Sequence, residues 1–209
     1  MIFPNFNEEK KLWKNGYNFV AGLDEAGRGP LAGPVVAASV CVNFQFSISN
    51  FQSNPNYSIF KNVRDSKKLS PSQREEIYNI LINHKDIKWG VGIVSEKVID
   101  KINILEATKL AMKKSFKKLS PNFLLLDGNF KIDSKISQKS IIKGDSKVFS
   151  ISAASIIAKV TRDKIMKKYH KKYPEYNFLK HKGYGTKAHF ACLQKFGPCK
   201  IHRKSFYLG

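Results

Sequence analysis

Short apolar runs rich in Val, Ala and Leu alternate along this chain with longer segments of helical period, and that alternation restricts the fold more than any other feature. Residues 17 to 23 and 33 to 44 (GPVVAASVCVNF) read as strands separated by an acidic, glycine-rich turn. A third strand is expected over KWGVGIV (88 to 94), a short buried fourth in NFLLLDGNF ending on Asp127, and a fifth in SQKSIIKGD running to Asp145. Between them, Ser70 reads as the cap and Pro71 as the first residue of a helix with an apolar stripe of Ile77, Ile80 and Leu81. Residues 95 to 119 read as one helix stopped by Pro121. The run from Ser150 (ISAASIIAKVTRDKIMKKYHKKY) reads as another, whose early small residues permit close packing on a sheet, and 187 to 196 as a last short one. Residues 43 to 60 mix Asn, Ser and aromatics without a period and read as a long loop or loose hairpin. The expected class is α/β, with residues 1–173 as the main domain and 174–209 as a small helical segment; no internal repeat is visible.

A chain of 209 residues suffices for one substantial core. No apolar run approaches the roughly 20 residues of a membrane span, and the first residues carry acids early with no sustained apolar region, unlike a secretory signal. Three cysteines without a C-x-x-C pair suit a reducing compartment, so a cytoplasmic protein without membrane association is expected. Cys192, Cys199 and His202 match no closed four-ligand zinc spacing.

Charge narrows the partner class. The formal net charge is +21, and between Lys159 and Lys204 fourteen Lys or Arg stand against only Asp163 and Glu175. A concentration of that kind attracts polyanions and drives counterion release from nucleic acid, although a lysine-rich composition contributes to it.

Against this excess the placement of a few acids is informative. Asp24 and Glu25 follow the first apolar run, Asp127 closes another, and Asp145 follows the last across a single glycine. Each alone could be an ordinary turn residue. In an open α/β sheet, however, the carboxyl ends of neighbouring strands converge on one crevice. Four acids gathered there would repel one another unless cations compensated, and hard ions such as Mg²⁺ or Mn²⁺ favour carboxylate oxygens. An acidic metal site in a basic envelope suits phosphodiester cleavage, in which two ions hold the attacking water and the leaving oxygen.

Gly27-Arg28-Gly29 fits neither a Walker loop, which ends in Gly-Lys-Ser/Thr, nor a Rossmann fingerprint, because Pro30 and a Val-rich strand follow it. These glycines allow close backbone approach to a ligand, with Arg28 available for a phosphate, or they form a plain tight turn. In HKGYGTKAH, glycines flank Tyr184, whose ring could stack on a sugar or base or serve as a hydrophobic anchor.

Taken together, GLDEAGRGPLAGPVVAA (22 to 38), DSKKLS (65 to 70), LLLDGN (124 to 129), KGDSKVFSISAASIIAKVTRD (143 to 163), HKGYGTKAH (181 to 189) and FGPCKIHRKSF (196 to 206) resemble the ribonuclease HII family, in family order and over nearly the whole chain. The resemblance implies an RNase H-like fold with a mixed five-stranded sheet flanked by helices. It implies cutting of the RNA strand of RNA/DNA hybrids and incision on the 5′ side of single ribonucleotides embedded in duplex DNA, leaving 3′-hydroxyl and 5′-phosphate ends. It places the metal-binding and catalytic acids on Asp24, Glu25, Asp127 and Asp145, for Mg²⁺ or Mn²⁺ in a two-metal site. It places the element that reads the ribonucleotide through its 2′-hydroxyl and neighbouring phosphates on Gly27, Arg28 and Gly29, and the junction-sensing tyrosine on Tyr184. Lys67 and Ser155 lie in family motifs and are read as phosphate contacts, while Asp163 is expected to form a helix ion pair with a neighbouring cation. The expected substrates are RNA/DNA hybrid and ribonucleotide-containing DNA, bound by a monomer. The stretch 43 to 60 departs from the family in being longer and richer in Asn and Ser. Two rivals remain at this point: a type III ribonuclease H without junction preference, and a basic RNA-binding protein without catalysis, which would not need four acids at strand ends.

Overall fold

The computed structural model describes residues 4–42, 62–63 and 66–209. The strands β1 (Val20–Ala26), β2 (Val35–Val42), β3 (Ile87–Val94), β4 (Phe123–Asp127) and β5 (Ser137–Ile141) form one sheet in the order β3-β2-β1-β4-β5. β1 and β2 pair antiparallel, as do β2 and β3, whereas β1–β4 and β4–β5 are parallel. The helices are α1 (Asn7–Lys14), α2 (Pro71–Asn83), α3 (Glu96–Phe116), α4 (Phe149–Lys172), α5 (Phe178–His181) and α6 (Lys187–Phe196). The alternation of apolar runs and helical segments indicated only an α/β class; the mixed five-stranded, helix-flanked sheet is the one that the resemblance implied. The loop expected over 43 to 60, and Asp65 of the DSKKLS motif, lie outside the described residues.

Every residue of β2 is buried, because helices cover both faces of the sheet. On one face Val40 and Leu125 pack with Ile151 and Ile157 of α4 and with Trp13 of α1. On the other, Leu23, Leu124 and Leu126 pack with Ala111 and Met112 of α3. The alternation of side chains along a strand therefore assigns Gly22 and Asp24 of β1, and Leu125 and Asp127 of β4, to the α4 side. α4 reaches β1 closely at Gly22, where a Cβ would collide with the Ser150 carbonyl carbon and the Ile151 nitrogen.

The helix over 71 to 83 begins as its sequence signals, with Pro71 first and a capping box in which Gln73 N donates to Ser70 Oγ and Ser70 N to the Gln73 side chain. Three expectations need correction. The segment over 95 to 119 ends at Phe116 and is interrupted at Asn103, whose backbone adopts φ 64° and ψ 169°. The Asn103 Oδ1 accepts from Leu105 N (2.9 Å) and Glu106 N (3.1 Å) and so caps the second half as a fresh helix start. The first strand starts at Val20 and runs on to Ala26, so Asp24 and Glu25 belong to the strand itself; Tyr17 instead packs edge-on against Phe123. The last strand stops at Ile141, and Asp145 sits in a single 3-10 turn, Gly144–Ser146, entered through the left-handed Lys143.

α1 had no counterpart in the sequence reading. It is anchored by the stacking of Phe6 on Phe149 (4.3 Å between centroids) and by the buried Glu9, whose Oε1 accepts from Ser150 N at 2.9 Å. The residue preceding α4, Val148, offers it no side-chain cap, so a carboxylate from another helix serves one of its unpaired N–H groups. Residues 174–209 pack on the second half of α4 and on the β1–β2 loop through Leu31, Ala32, Met166, Phe178, Leu193 and Ile201. Among the described residues no helix is long and apolar enough to cross a membrane.

Candidate active site

β1 and β4 run parallel, with Gly22 beside Leu125 and Leu23 beside Leu126, so Asp24 emerges next to Asp127 on the α4 side. The turn before α4 brings Asp145 over the same edge. One carboxylate oxygen from each of Asp24, Asp127 and Asp145 lies within 4.8 Å of the others. The surroundings fix these carboxylates individually. Asp24 accepts from Glu25 N (2.7 Å) and from the Ser155 hydroxyl, and Asp127 accepts from Gly144 N (2.7 Å). Burial, reinforced by the charges of Glu25 and Asp127, raises the Asp24 carboxyl well above its ordinary range.

Glu25 is not part of that close group. It follows Asp24 by one residue in a strand, so its Cβ points to the opposite face. Its carboxylate remains electrostatically linked to Asp127 and Lys67, while Arg28 Nη1 lies 3.4 Å from Glu25 Oε1. Burial pushes Glu25 up to about 7, against the lowering effect of Arg28, and its Oε2 is buried without a hydrogen-bond partner.

Lys67, in the 3-10 turn Ser66–Lys68, holds its Nζ 3.8 Å from Asp145 Oδ2 while staying 83% exposed. Ser155 was expected to contact a phosphate. It is buried on α4, and its hydroxyl is engaged by Ser66 Oγ (3.0 Å) and by Asp24, so it braces the acidic cluster from behind. Asp163 pairs with Lys159 at 2.8 Å one helical turn away, as its spacing suggests.

The Gly27-Arg28-Gly29 turn leaves β1 beside this cluster, with Gly27 buried at φ +99° and Arg28 and Gly29 exposed. A side chain at Gly27 would collide with the Arg162 guanidinium, so both conformation and space require glycine there. Tyr184 lies alongside: a Cβ at Gly29 would be 3.9 Å from its Cε1, and the ring is 44% exposed. The acidic cluster, the glycine turn and the tyrosine thus share one edge of the sheet.

The ribonuclease HII family model matches residues 21–208, and ribonuclease HII of Chlamydia caviae is 52% identical over 200 residues, covering 95% of this chain and 88% of that protein. The chain belongs to the ribonuclease HII family. It is a ribonuclease H acting on RNA/DNA hybrids, and the family depends on divalent metal. Two solved structures have the same fold. The ribonuclease HII of Archaeoglobus fulgidus, seen in a complex with PCNA, matches at a TM-score of 0.71 with 26% identity, covering 91% of this chain and 96% of that one. Ribonuclease H2 of Pyrococcus horikoshii matches at 0.70 with 28% identity, covering 91% and 94%.

Within this ribonuclease HII fold, the tail contains a feature that the sequence reading missed. Cys199 N donates to His202 Nδ1 (2.9 Å), which leaves His202 Nε2–H to donate to His189 Nε2 (3.0 Å), and His189 Nδ1–H then donates to the Tyr184 carbonyl (2.9 Å). The chain of bonds assigns a neutral tautomer to each ring. Burial keeps both imidazoles below their ordinary pKa, His189 at about 4. It also disposes of zinc at Cys192, Cys199 and His202, since both His202 nitrogens are engaged. Among the described residues the aspartate triad is the only cluster of three or more His, Cys, Asp or Glu side chains close enough together to share a metal ion. His189 and His202 lie 13 residues apart in the sequence, and only their contact in space reveals a support for Tyr184.

Proposed function

We propose that Asp24, Asp127 and Asp145, with Glu25 beside them, form the catalytic centre of a divalent-metal-dependent endonuclease. It cuts the RNA strand of RNA/DNA hybrids, incises on the 5′ side of a single ribonucleotide in duplex DNA and leaves 3′-hydroxyl and 5′-phosphate ends. The observation that carries this reading is the convergence of three carboxylate oxygens within 4.8 Å at the carboxyl end of the parallel β1–β4 pair. The donor set fits Mg²⁺ or Mn²⁺: hard oxygens, held in place by N–H and hydroxyl donors, and too crowded to remain fully ionised without a cation. Divalent ions bound there would activate water and stabilise the charge developing on the leaving oxygen.

The protein's own groups do the rest. Ser155 and the amides of Glu25 and Gly144 hold the carboxylates in place, so the site needs little reorganisation during reaction. Lys67, exposed beside Asp145, is suited to a phosphate oxygen next to the scissile bond. Segment 174–209 supplies a cationic face for the duplex. Only a 2′-hydroxyl distinguishes an embedded ribonucleotide from its neighbours, so selection requires close main-chain approach and a probe of the adjacent sugar. Gly27, Arg28 and Gly29 offer the approach and the Tyr184 ring offers the probe, in the arrangement that favours a junction enzyme over a general hybrid nuclease.

The test is incubation with a labelled duplex carrying one ribonucleotide and, separately, with a long hybrid, each with and without Mn²⁺ or Mg²⁺, followed by mapping of the cuts. Cleavage on the 5′ side of the ribonucleotide should require metal. Loss of a stacking ring costs about 1 to 3 kcal/mol, so Tyr184→Ala should slow cutting at the single ribonucleotide roughly tenfold or more and harm the hybrid less. Binding without cleavage in metal would sink the catalytic reading, and an unchanged ratio of the two rates in Tyr184→Ala would sink the role of the tyrosine.

A further inference from the structure

Among the described residues the largest fully buried side chains are two arginines, Arg162 of α4 and Arg203 near the carboxyl end. Burying a guanidinium costs several kcal/mol unless a counter-charge or a full set of acceptors offsets it. Among the described residues neither has a carboxylate within ion-pair distance; Glu96 and Asp100 act on Arg203 only from farther away. Both donate instead to main-chain carbonyls. Arg203 reaches Gly27 O (2.6 Å), Arg28 O (2.8 Å) and Gly33 O (2.9 and 3.0 Å). Arg162 reaches Pro34 O, Ala32 O and Lys182 O, each at 3.0 Å, and its guanidinium lies 5.9 Å from the centroid of the Tyr184 ring.

All but one of these carbonyls belong to the β1–β2 loop, and the remaining one belongs to the Tyr184 segment. The two side chains therefore tie both proposed recognition elements to a shared pair of planar forks. The orientation of the peptide groups has a further consequence. With the Gly27 and Arg28 carbonyls turned inward onto Arg203, the N–H groups of the same planar peptides, those of Arg28 and Gly29, face the other way, and they donate to no acceptor among the described residues. Such amides are available to an oxygen-rich ligand. A neutral cross-link could fix the loop equally well, but two guanidiniums without a paired acid also place positive charge directly beneath it. Burial lowers Arg203 to about 9, so it still carries that charge at neutral pH.

We infer that Arg162 and Arg203 are positioning residues for substrate selection: they hold the Gly27-Arg28-Gly29 turn with its Arg28 and Gly29 amides outward at a set distance from the Tyr184 ring and hold positive potential under the site of the ribonucleotide's phosphate. This rests on the reading of that turn and of Tyr184 as the ribonucleotide reader. Neither arginine touches the acidic cluster, so cleavage chemistry itself is not their task.

The experiment compares wild type with Arg162→Lys and Arg203→Lys, which keep the charge but lose the planar fork. Single-turnover rates and KM are measured on a duplex with one ribonucleotide and on a long RNA/DNA hybrid, with melting curves for each protein. The expected result for folded variants is a fall of roughly tenfold or more in kcat/KM at the single ribonucleotide, carried largely by KM, with the hybrid rate within a few-fold of wild type. Folded variants that keep the wild-type ratio overturn the inference. A wild type that itself shows no cutting at the single ribonucleotide overturns the underlying reading instead. A measurement on wild type alone covers the case in which the lysine variants do not fold. In metal-free protein, the amide ¹⁵N–H signals of Arg28 and Gly29 and the Nε–H signals of Arg162 and Arg203 should shift together on adding the ribonucleotide duplex, and less with an all-DNA duplex. Amides that move while both Nε–H signals stay fixed would refute the coupling.

Discussion

Asp24→Asn should abolish most cleavage and at the same time stabilise the metal-free protein. Three carboxylates share a space in which their nearest oxygens lie within 4.8 Å, and Asp24 is the most confined of them, buried and repelled by the charges of Glu25 and Asp127. At about 5 Å and an effective dielectric of about 20, each ionised pair costs on the order of 3 kcal/mol. The wild type relieves part of this by retaining a proton, so the gain on neutralising Asp24 is about 1 to 3 kcal/mol. Asparagine is nearly isosteric: its Oδ1 can keep the Glu25 amide, and its NH₂ can donate to Ser155, so little packing is lost.

The sign can be checked against pH. Burial and like charge raise the folded pKa of Asp24 above its unfolded value, so the wild type loses stability as pH rises through that interval, and the asparagine variant lacks this contribution. The assay is urea unfolding of EDTA-treated wild type and variant at pH 5.5 and pH 8, repeated with Mn²⁺, alongside cleavage of a labelled hybrid. The variant should be the more stable protein at pH 8 without metal, Mn²⁺ should stabilise wild type much more than the variant, and cleavage should be lost. A variant less stable at pH 8 that responds normally to Mn²⁺ would refute the assignment of Asp24 to a crowded metal site.

Two further outcomes follow from charges elsewhere. Burial pushes Glu9 up to about 7, so its ionisation opposes folding between about pH 4.5 and 7; the stability of wild type minus that of Glu9→Gln should fall by about 3 kcal/mol across that window, and a flat difference would mean Glu9 is not held as described. Substrate affinity should drop roughly tenfold or more between 50 and 200 mM salt if several phosphates are neutralised by the tail, and a flat salt response would remove it from the interface.

Period and capping chemistry made most of the architecture legible. The five strands and the helices α2, α4 and α6 follow from alternation, from Ser70-Pro71 and from the small residues after Ser150. What failed to show in the sequence depended on distant partners. α1 is anchored by Glu9, whose acceptor role is fulfilled 141 residues away at Ser150, and no local pattern announces such a contact. The break at Asn103 is hidden for a different reason: apolar spacing continues across it, and an asparagine that caps a second helix looks like any polar residue on a helix surface. The aspartate cluster was legible because each acid lies at or near the carboxyl end of an apolar run, a position that parallel strands bring together whatever the loops between them do.

Charge composition misled in the same region where it was most useful. Arg162 and Arg203 count among the fourteen cations between Lys159 and Lys204, yet both are interior and can meet no phosphate directly. A residue count carries no information about burial, and arginine in particular can satisfy three carbonyls at once, which makes it a cross-link as readily as a surface charge. Asp24 and Glu25 pose the complementary problem. As neighbours in the sequence they look equivalent, and strand geometry separates them: Asp24 turns toward α4 and joins Asp127 and Asp145, whereas Glu25 starts from the other face and meets Arg28. The two adjacent acids thus occupy different positions at one centre. Asp24 sits at the focus of the aspartate cluster, and Glu25 stands between that cluster and the glycine turn proposed to read the ribonucleotide.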